Sequence, residues 1–159
     1  MNIRNAENKD AKRIVSLLSQ VLELHAEIRP DIFQTGTTKY TENEVEGLIK
    51  SENRRTYVAV DGNGSLIGFA LCEVRNINSH NMVPRKEMYI DDICVDGIAR
   101  GQHIGSRLFE HVKQEAKELG CYEITLNVWE GNDSAKAFYD KMQMKPKSTT
   151  MEFILQSDL

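Results

Sequence analysis

A glycine-containing loop between a strand-like run and a helix is the segment of this chain whose residues are best suited to chemistry. The apolar run ends at Val95, and a helical pattern begins at about Ile104. The loop reads Arg100-Gly101-Gln102-His103-Ile104-Gly105-Ser106. Backbone N–H groups converge at such a helix N-terminus, where the helix dipole favours negative charge. This order of residues therefore predicts a site for a pyrophosphate or a similar anion.

Composition narrows the classes of protein that this site can belong to. The chain has 159 residues and a net charge of −4, which predicts one domain over 1–159 and argues against a nucleic-acid-binding surface. No apolar run has the length of a membrane span, and the first residues lack a signal-peptide pattern, so we expect a cytoplasmic protein without membrane contact. Three cysteines and four histidines show no metal-ligand spacing, so we expect free thiols and no metal.

Alternating and helical apolar patterns give the elements that must position the loop. The predicted strands are Met1–Ala6, Thr56–Val60, Leu66–Val74, Lys86–Val95, Glu123–Val128 and Thr150–Leu155. The predicted helices run from an N-cap at Asn8 to before Pro30, from a capping box of Thr41 and Glu44 to Lys50, from Ile104 to Leu119 and from an N-cap at Ser134 to Met142. The third of these helices has an apolar stripe, formed by Ile104, Leu108, Val112 and Ala116. Hairpins and one strand–helix–strand crossover predict a mixed sheet covered by helices.

A second motif lies beyond the glycine loop. The strand ending at Val128 is followed by Asn132-Asp133-Ser134-Ala135 and then by Phe138-Tyr139. In combination, the two motifs resemble those of the Gcn5-related N-acetyltransferase (GNAT) superfamily over most of the chain. One position departs from the family pattern, because His103 stands where the signature has its first glycine. The resemblance implies an α/β (α+β) fold, with a mixed, mostly antiparallel central sheet of six to seven strands flanked by about four helices.

The resemblance implies acetyl-CoA as co-substrate and a set of backbone contacts to it. The fourth strand of such proteins splays from the fifth, and the pantetheine arm lies between them; here that strand is Ile93, Cys94 and Val95. The N–H groups of the loop would hold the pyrophosphate, with charge added by Arg100. By position, the loop set is Arg100, Gly101, Gln102, His103, Ile104, Gly105 and Ser106. Asn132 matches a cofactor-contacting Asn, and capping of the last helix is the alternative.

Two residues are expected to carry the proton transfers. By resemblance, Tyr139 protonates the departing thiolate; the alternative is a core aromatic residue beside Phe138. The general base is expected at Asp91, which resembles the first acid of a pair on the fourth strand in diamine- and polyamine-acetylating members. Strand alternation predicts Asp91 and Asp92 on opposite faces, with Asp91 on the face of Ile93. The alternative for Asp92 is a hydrogen-bonding anchor to a neighbouring loop. Asn127 stands where some members have a glutamate and cannot be a base.

Direct acetyl transfer to a primary amine in a ternary complex is the predicted function. The acceptor is a small-molecule amine, a polyamine or a protein amine. Three alternatives stay open: N-terminal or ribosomal-protein acetylation, a non-catalytic acyl-CoA-binding module, and transfer of a longer acyl group. The methionines of the tail, among them Met142, Met144 and Met151, fit either a homodimer contact or a packed core.

Overall fold

Five strands form one sheet in which the hydrogen-bonded neighbours follow chain order. A computed structural model describes residues 1–156. The strands are β1 (Asn2–Asn5), β2 (Arg54–Val60), β3 (Leu66–Ile77), β4 (Arg85–Val95) and β5 (Glu123–Leu126). The sheet order is β1-β2-β3-β4-β5. The first four strands pair antiparallel, whereas β4 and β5 pair in parallel. Within residues 1–156 the mixed, mostly antiparallel sheet is confirmed.

Helices cover both faces of this sheet. They are α1 (Ala11–Ile28), α2 (Glu42–Lys50), α3 (Ile104–Glu118) and α4 (Asp133–Lys141). On one face, α1 and α2 bury Leu17 and Val45 against Phe69 of β3. On the other face, α3 packs Val112 against Met88 of β4. This arrangement confirms the predicted fold class. No helix within residues 1–156 is both long and apolar enough to cross a bilayer.

The N-termini of α1 and α2 test the capping residues predicted from the local sequence. The predicted capping box of α2 is confirmed: Thr41 Oγ1 accepts a hydrogen bond from the Glu44 N–H at 3.2 Å, and Glu44 Oε1 accepts one from the Thr41 N–H at 3.1 Å. The predicted cap at Asn8 is wrong. Instead, the Asp10 carboxylate accepts a hydrogen bond from the Glu7 N–H at 2.8 Å ahead of α1.

The expected count of six to seven strands is wrong within residues 1–156, because the segment Thr150–Leu155 pairs with no strand there. Glu152 forms an ion pair with Arg29 at 2.6 Å, which anchors the segment at the end of α1 instead. The segment is exposed throughout, with Met151, Phe153 and Leu155 at 84%, 87% and 88%. A strand-like pattern forms a strand only where a neighbouring edge pairs with its backbone.

Gly68 on β3 lets α3 approach the sheet closely. A Cβ at this position would lie 3.0 Å from the Cys94 carbonyl oxygen, 3.2 Å from Leu108 Cδ1 and 3.3 Å from Ile104 Cγ2. We expect Gly68→Ala to lower the free energy of unfolding by about 2 kcal/mol, because neither backbone nor helix has room to move. Gly62→Ala is the control, since a Cβ there meets open space. Urea titrations that show equal stability for both variants would contradict the close packing.

Candidate active site

β4 and β5 separate half-way along β4. β5 pairs only with Glu87–Ile90, so residues 91–95 lie beyond its end. On the opposite side these residues keep β3 as neighbour, with Val95 placed opposite Gly68. Residues 91–95 therefore present a backbone edge that β5 does not cover. Such an edge offers N–H and C=O groups to the amides of an extended ligand.

The hydrogen-bond alternation of β4 shows which groups face this edge. The Asp96 N–H donates to the Ile67 carbonyl oxygen of the β3 side at 2.8 Å. Because successive N–H groups of a strand point to opposite sides, the Val95 N–H points toward the uncovered edge. Asp96 itself is fixed by an ion pair with Arg13, which holds the end of β4 against α1.

The Cys94 side chain points away from this edge. It is buried among residues of α1 and α2, with Sγ 3.8 Å from the Leu17 carbonyl oxygen. Burial raises the pKa of this thiol to about 12. Ile93 packs on the opposite side of the sheet, with the α3 cluster. A buried, protonated thiol that points away from the edge is no nucleophile.

The loop before α3 presents backbone donors that have no acceptor within residues 1–156. None of the N–H groups from Gly101 to Ser106 donates a hydrogen bond to another of residues 1–156. The next donor, the Arg107 N–H, bonds to the His103 carbonyl oxygen at 3.1 Å and begins the helical ladder. Unpaired N–H groups at the positive end of a 15-residue helix suit a phosphate or pyrophosphate.

His103 adopts the backbone conformation that explains the glycine of the family signature. Its φ is 60° and its ψ 23°, in the left-handed region, and Gly101 has a φ of 82°. Left-handed backbone places Cβ close to the following carbonyl and favours glycine. The His103 residue is exposed, so the departure from the signature keeps the loop geometry at the expense of local strain.

Two substitutions at this position separate strain from side-chain loss. We expect His103→Gly to be more stable than His103→Ala by about 1 kcal/mol, because both lose the imidazole and only glycine relieves the left-handed φ. Thermal unfolding of the two purified variants measures the difference. An alanine variant as stable as the glycine variant would contradict a strained loop.

Gly105 and Asn132 join the loop to α4. A Cβ on Gly105 would lie 3.3 Å from Phe138 Cε2, so α4 packs directly on the first turn of α3. Asn132 Oδ1 accepts a hydrogen bond from the Ala135 N–H at 3.3 Å. Asn132 therefore caps α4, whereas the predicted cap was Ser134. This is the capping role that the sequence left open for Asn132; its contact with a cofactor stays a prediction.

A β-bulge brings the two carboxylates of β4 together. Leu71 pairs with Asp92 while Cys72 pairs with Ile90, which leaves Asp91 as the extra residue. Ile90 and Ile93 accordingly both pack in the α3 cluster. The prediction of opposite faces for Asp91 and Asp92 is therefore wrong, and so is a shared face for Asp91 and Ile93, because regular alternation breaks at the bulge.

A lysine from the α1–α2 connection bridges both carboxylates. Lys39 Nζ lies 2.8 Å from Asp91 Oδ1 and 3.0 Å from Asp92 Oδ2. The Tyr40 hydroxyl donates to Asp91 Oδ2 at 2.5 Å, and Arg54 Nη1 lies 3.5 Å from the same oxygen. Local sequence patterns do not reveal this contact, since 52 residues separate Lys39 from Asp91.

The surroundings separate the acidities of the two carboxyl groups. Burial alone would raise the pKa of Asp91, but hydrogen bonds from Lys39 and Tyr40 hold it below its usual value. Burial raises the pKa of Asp92 to about 6, in spite of the opposing charge of Lys39. Asp92 is therefore the stronger base of the pair, with a pKa close to neutral pH.

Tyr139 of α4 keeps its proton at neutral pH. Burial raises the pKa of this phenol, and the negative charge of Asp92 raises it further. The adjacent Phe138 ring, 5.3 Å away between centroids, packs against the start of α3. A partly buried, protonated phenol near β4 can donate a proton to a leaving group.

An aromatic cluster joins the end of α1 to the segment after β5. His25 and Phe33 have ring centroids 5.1 Å apart, and Phe33 meets Trp129 edge-on at the same separation. Burial, followed by the charge of Lys39, lowers the pKa of His25.

Residues 1–156 contain no group of three or more His, Cys, Asp or Glu side chains placed to hold a metal ion. The expectation of no metal stays a prediction.

The comparisons with known proteins agree with this architecture. The sequence profile of the acetyltransferase (GNAT) family matches residues 18–144. The chain belongs to this family. The resemblance inferred from the two sequence motifs is thereby confirmed. Members of the GNAT family are acyl-CoA-dependent N-acetyltransferases, and they use acetyl-CoA.

This GNAT chain is also similar to individual proteins of known sequence or structure. It is 35% identical over 66 residues to a glucosamine 6-phosphate N-acetyltransferase of Arabidopsis thaliana, a match covering 42% of each chain. It thus spans less than half the length of that curated relative. A mutant BH1408 protein of Bacillus halodurans has a crystal structure with a TM-score of 0.94 at 31% identity, covering 98% of this chain and 100% of that one.

An aminoglycoside N-acetyltransferase in complex with CoA shares the fold. Its TM-score is 0.73 at 13% identity, with 98% of this chain and 100% of that chain covered. At this identity the likeness concerns the fold alone. The GNAT fold expected from the sequence is confirmed, with five strands within residues 1–156.

Proposed function

We propose that this protein transfers the acetyl group of acetyl-CoA to a primary amine. The observation that carries the proposal is the acid pair on β4, which holds a primary ammonium beside an uncovered strand edge. Lys39 Nζ occupies that position, within 3.0 Å of both carboxylates. Carboxylates that bind an ammonium at hydrogen-bond distance are placed to take a proton from it.

Two features of the chain fit acetyl-CoA. The unpaired N–H groups of Gly101–Ser106 suit its pyrophosphate, with Arg100 exposed nearby. The uncovered edge at Ile93–Val95 suits the amides of its pantetheine arm. When bound, the co-substrate supplies the acetyl thioester. Asn132 is proposed as a further contact, in addition to its capping role.

The side chains then divide the proton transfers. The Asp91–Asp92 pair accepts the proton of the acceptor amine, directly or through water. Asp91 is the base that the resemblance implies, and the pKa of about 6 supports Asp92 as the stronger partner. The Val95 N–H stabilises the developing oxyanion, and the Tyr139 phenol donates a proton to the sulfur.

Two alternatives to this function are N-terminal acetylation and acyl-CoA binding without catalysis. N-terminal acetylation with a fifth-strand base finds no support, since Asn127 Nδ2 donates to the Tyr89 hydroxyl at 3.1 Å and cannot accept a proton. A non-catalytic acyl-CoA-binding module fits the loop equally well. The acid pair and the protonated Tyr139 favour catalysis, because a binding module needs neither.

The acceptor is sought with a panel of primary amines. Free thiol release from acetyl-CoA is followed with polyamines, aminoglycosides, a lysine peptide and glucosamine 6-phosphate, the last suggested by the name of the plant relative. Thiol release that depends on one of these amines, with the acetylated amine identified by mass, would support the proposal. Tight acetyl-CoA binding without transfer to any amine would favour the binding module.

The pH profile tests the identity of the base. We expect kcat/KM to rise with pH through a limb near the Asp92 pKa of about 6, because the base must be deprotonated to accept a proton. Asp91→Asn removes a like charge, so it should move this limb to lower pH. Asp140→Asn, an exposed change on α4, should leave it in place. A limb unmoved by Asp91→Asn would contradict coupling of the pair.

A further inference from the structure

The Lys39 ammonium lies at the acid pair, where the proposed function requires the amine of the acceptor to bind. The lysine side chain is 44% exposed, whereas those of Asp91 and Asp92 are 10% and 11% exposed. The lysine therefore covers the acid pair from the solvent side. Any external amine that reaches the carboxylates must first displace the Lys39 ammonium.

The Lys39 ammonium is paired directly with both carboxylates, at distances over which a proton can be transferred. A general base acts on a proton at a heavy-atom separation of about 2.6–3.2 Å. Lys39 Nζ lies 2.8 Å and 3.0 Å from the two carboxylates, inside this range for both. Arg54 also approaches Asp91, at 3.5 Å, but a guanidinium is no nucleophile at neutral pH. Among residues 1–156, Lys39 is the one primary amine paired with either acid.

The position of Lys39 along the chain keeps its amine at this place. It lies in the connection between α1 and α2, and the next residue, Tyr40, is bonded to Asp91 at 2.5 Å. The amine is therefore tethered to its base, and intramolecular reactions of such groups are strongly favoured over bimolecular ones. The part of the uncovered edge that is proposed to bind acetyl-CoA, Ile93–Val95, directly follows Asp92 on the same strand.

We propose that the protein acetylates its own Lys39 on Nζ when no external amine is present. The inference rests on the proposed function, since it uses the same acids and the same acetyl-CoA edge. A carboxylate of the pair takes a proton from the ammonium, and the freed Nζ lone pair attacks the thioester carbonyl carbon. The C–N bond forms and the C–S bond breaks. One proton reaches the leaving thiolate and a second is released to water, leaving N-acetyl-Lys39 and CoA thiol.

Acetylation of Lys39 changes the charge of the site. The amide carries no positive charge, so it no longer pairs with Asp91 and Asp92. The acid pair is then left free for the ammonium of an external amine. External amines and Lys39 accordingly compete for one position, and an added acceptor is expected to slow the labelling of Lys39.

Peptide mass mapping of the full chain after incubation with acetyl-CoA alone tests the inference. We expect acetyl-Lys39 to form about 100-fold faster than acetyl-Lys50, an exposed lysine at the end of α2 that reports uncatalysed labelling. The first-order rate should not depend on protein concentration. Lys39→Arg should lose this labelling, Lys50→Arg should keep it, and Asp91→Asn with Asp92→Asn should reduce it to the Lys50 rate.

A binding isotherm for acetyl-CoA on the same sample separates the two proposals. If acetyl-CoA binds and an external amine is acetylated while Lys39 reacts no faster than Lys50, this inference is overturned and the proposed function stands. If acetyl-CoA does not bind, both are overturned. Labelling of Lys39 that survives loss of both carboxylates would also overturn it, since it would reflect an exposed lysine alone.

Discussion

Asp91→Asn combined with Asp92→Asn is expected to lower kcat for acetyl transfer by about 1,000-fold. Both carboxylates contact one ammonium in the structure, so either can accept a proton in the absence of the other. The double variant removes both acceptors while keeping the side-chain volume. Of the single variants, Asp92→Asn should have the larger effect, because the Asp92 carboxyl has the pKa nearer to neutral pH.

Single-turnover rates at saturating acetyl-CoA measure this loss at the chemical step. Asp140→Asn on α4 is the matched control and should keep the wild-type rate. A urea titration checks that the double variant folds, since Lys39 loses both of its counter-ions, whereas Arg54 keeps Glu73 at 3.3 Å. A folded double variant with the wild-type rate would show that the base lies elsewhere.

Tyr139→Phe is expected to lower kcat by about 100-fold and to leave acetyl-CoA binding unchanged. The phenol is partly buried and protonated, so it offers a proton to the sulfur, whereas phenylalanine keeps the ring and loses the donor. The split between kcat and binding distinguishes a proton donor from a packing residue. A core aromatic, the alternative for this position, would change stability rather than kcat.

Tyr122→Phe provides the control for this change. Tyr122 is 79% exposed ahead of β5, so its hydroxyl should be dispensable. A sharper test uses an acetyl thioester whose thiol is more acidic than that of CoA. Its thiolate leaves without a proton more readily, so Tyr139→Phe should lower kcat by a smaller factor with this donor. Equal kcat for the wild type and Tyr139→Phe would contradict the assignment.

The parts of the fold with local sequence signals were predictable. The capping box at Thr41 and the apolar stripe of α3 depend on neighbours within a few residues, and both appear where expected. The loop before α3 was predictable for the same reason. Its departure at His103 now has a structural meaning, because the residue holds the left-handed backbone that glycine otherwise supplies.

The arrangement of the acid pair was not predictable from local patterns. A bulge shifts the register of β4 by one residue, and that shift depends on pairing with β3 rather than on the sequence around Asp91. The contact with Lys39 bridges 52 residues and follows from the tertiary fold. The strand predicted at Thr150–Leu155 is wrong for the same reason, since a strand forms only where a neighbouring strand edge pairs with it.

Titration of the protein with acetyl-CoA, followed by backbone amide NMR shifts, tests the central claim most directly. We expect saturable shifts at two places: the N–H groups of Gly101–Ser106 and the edge residues Ile93–Val95. The exposed hairpin turn at Gly62 should stay unchanged as an internal control. Saturable binding that moves neither the loop nor the β4 edge, or no binding by the folded protein, would contradict an acetyl-CoA site between β4 and β5.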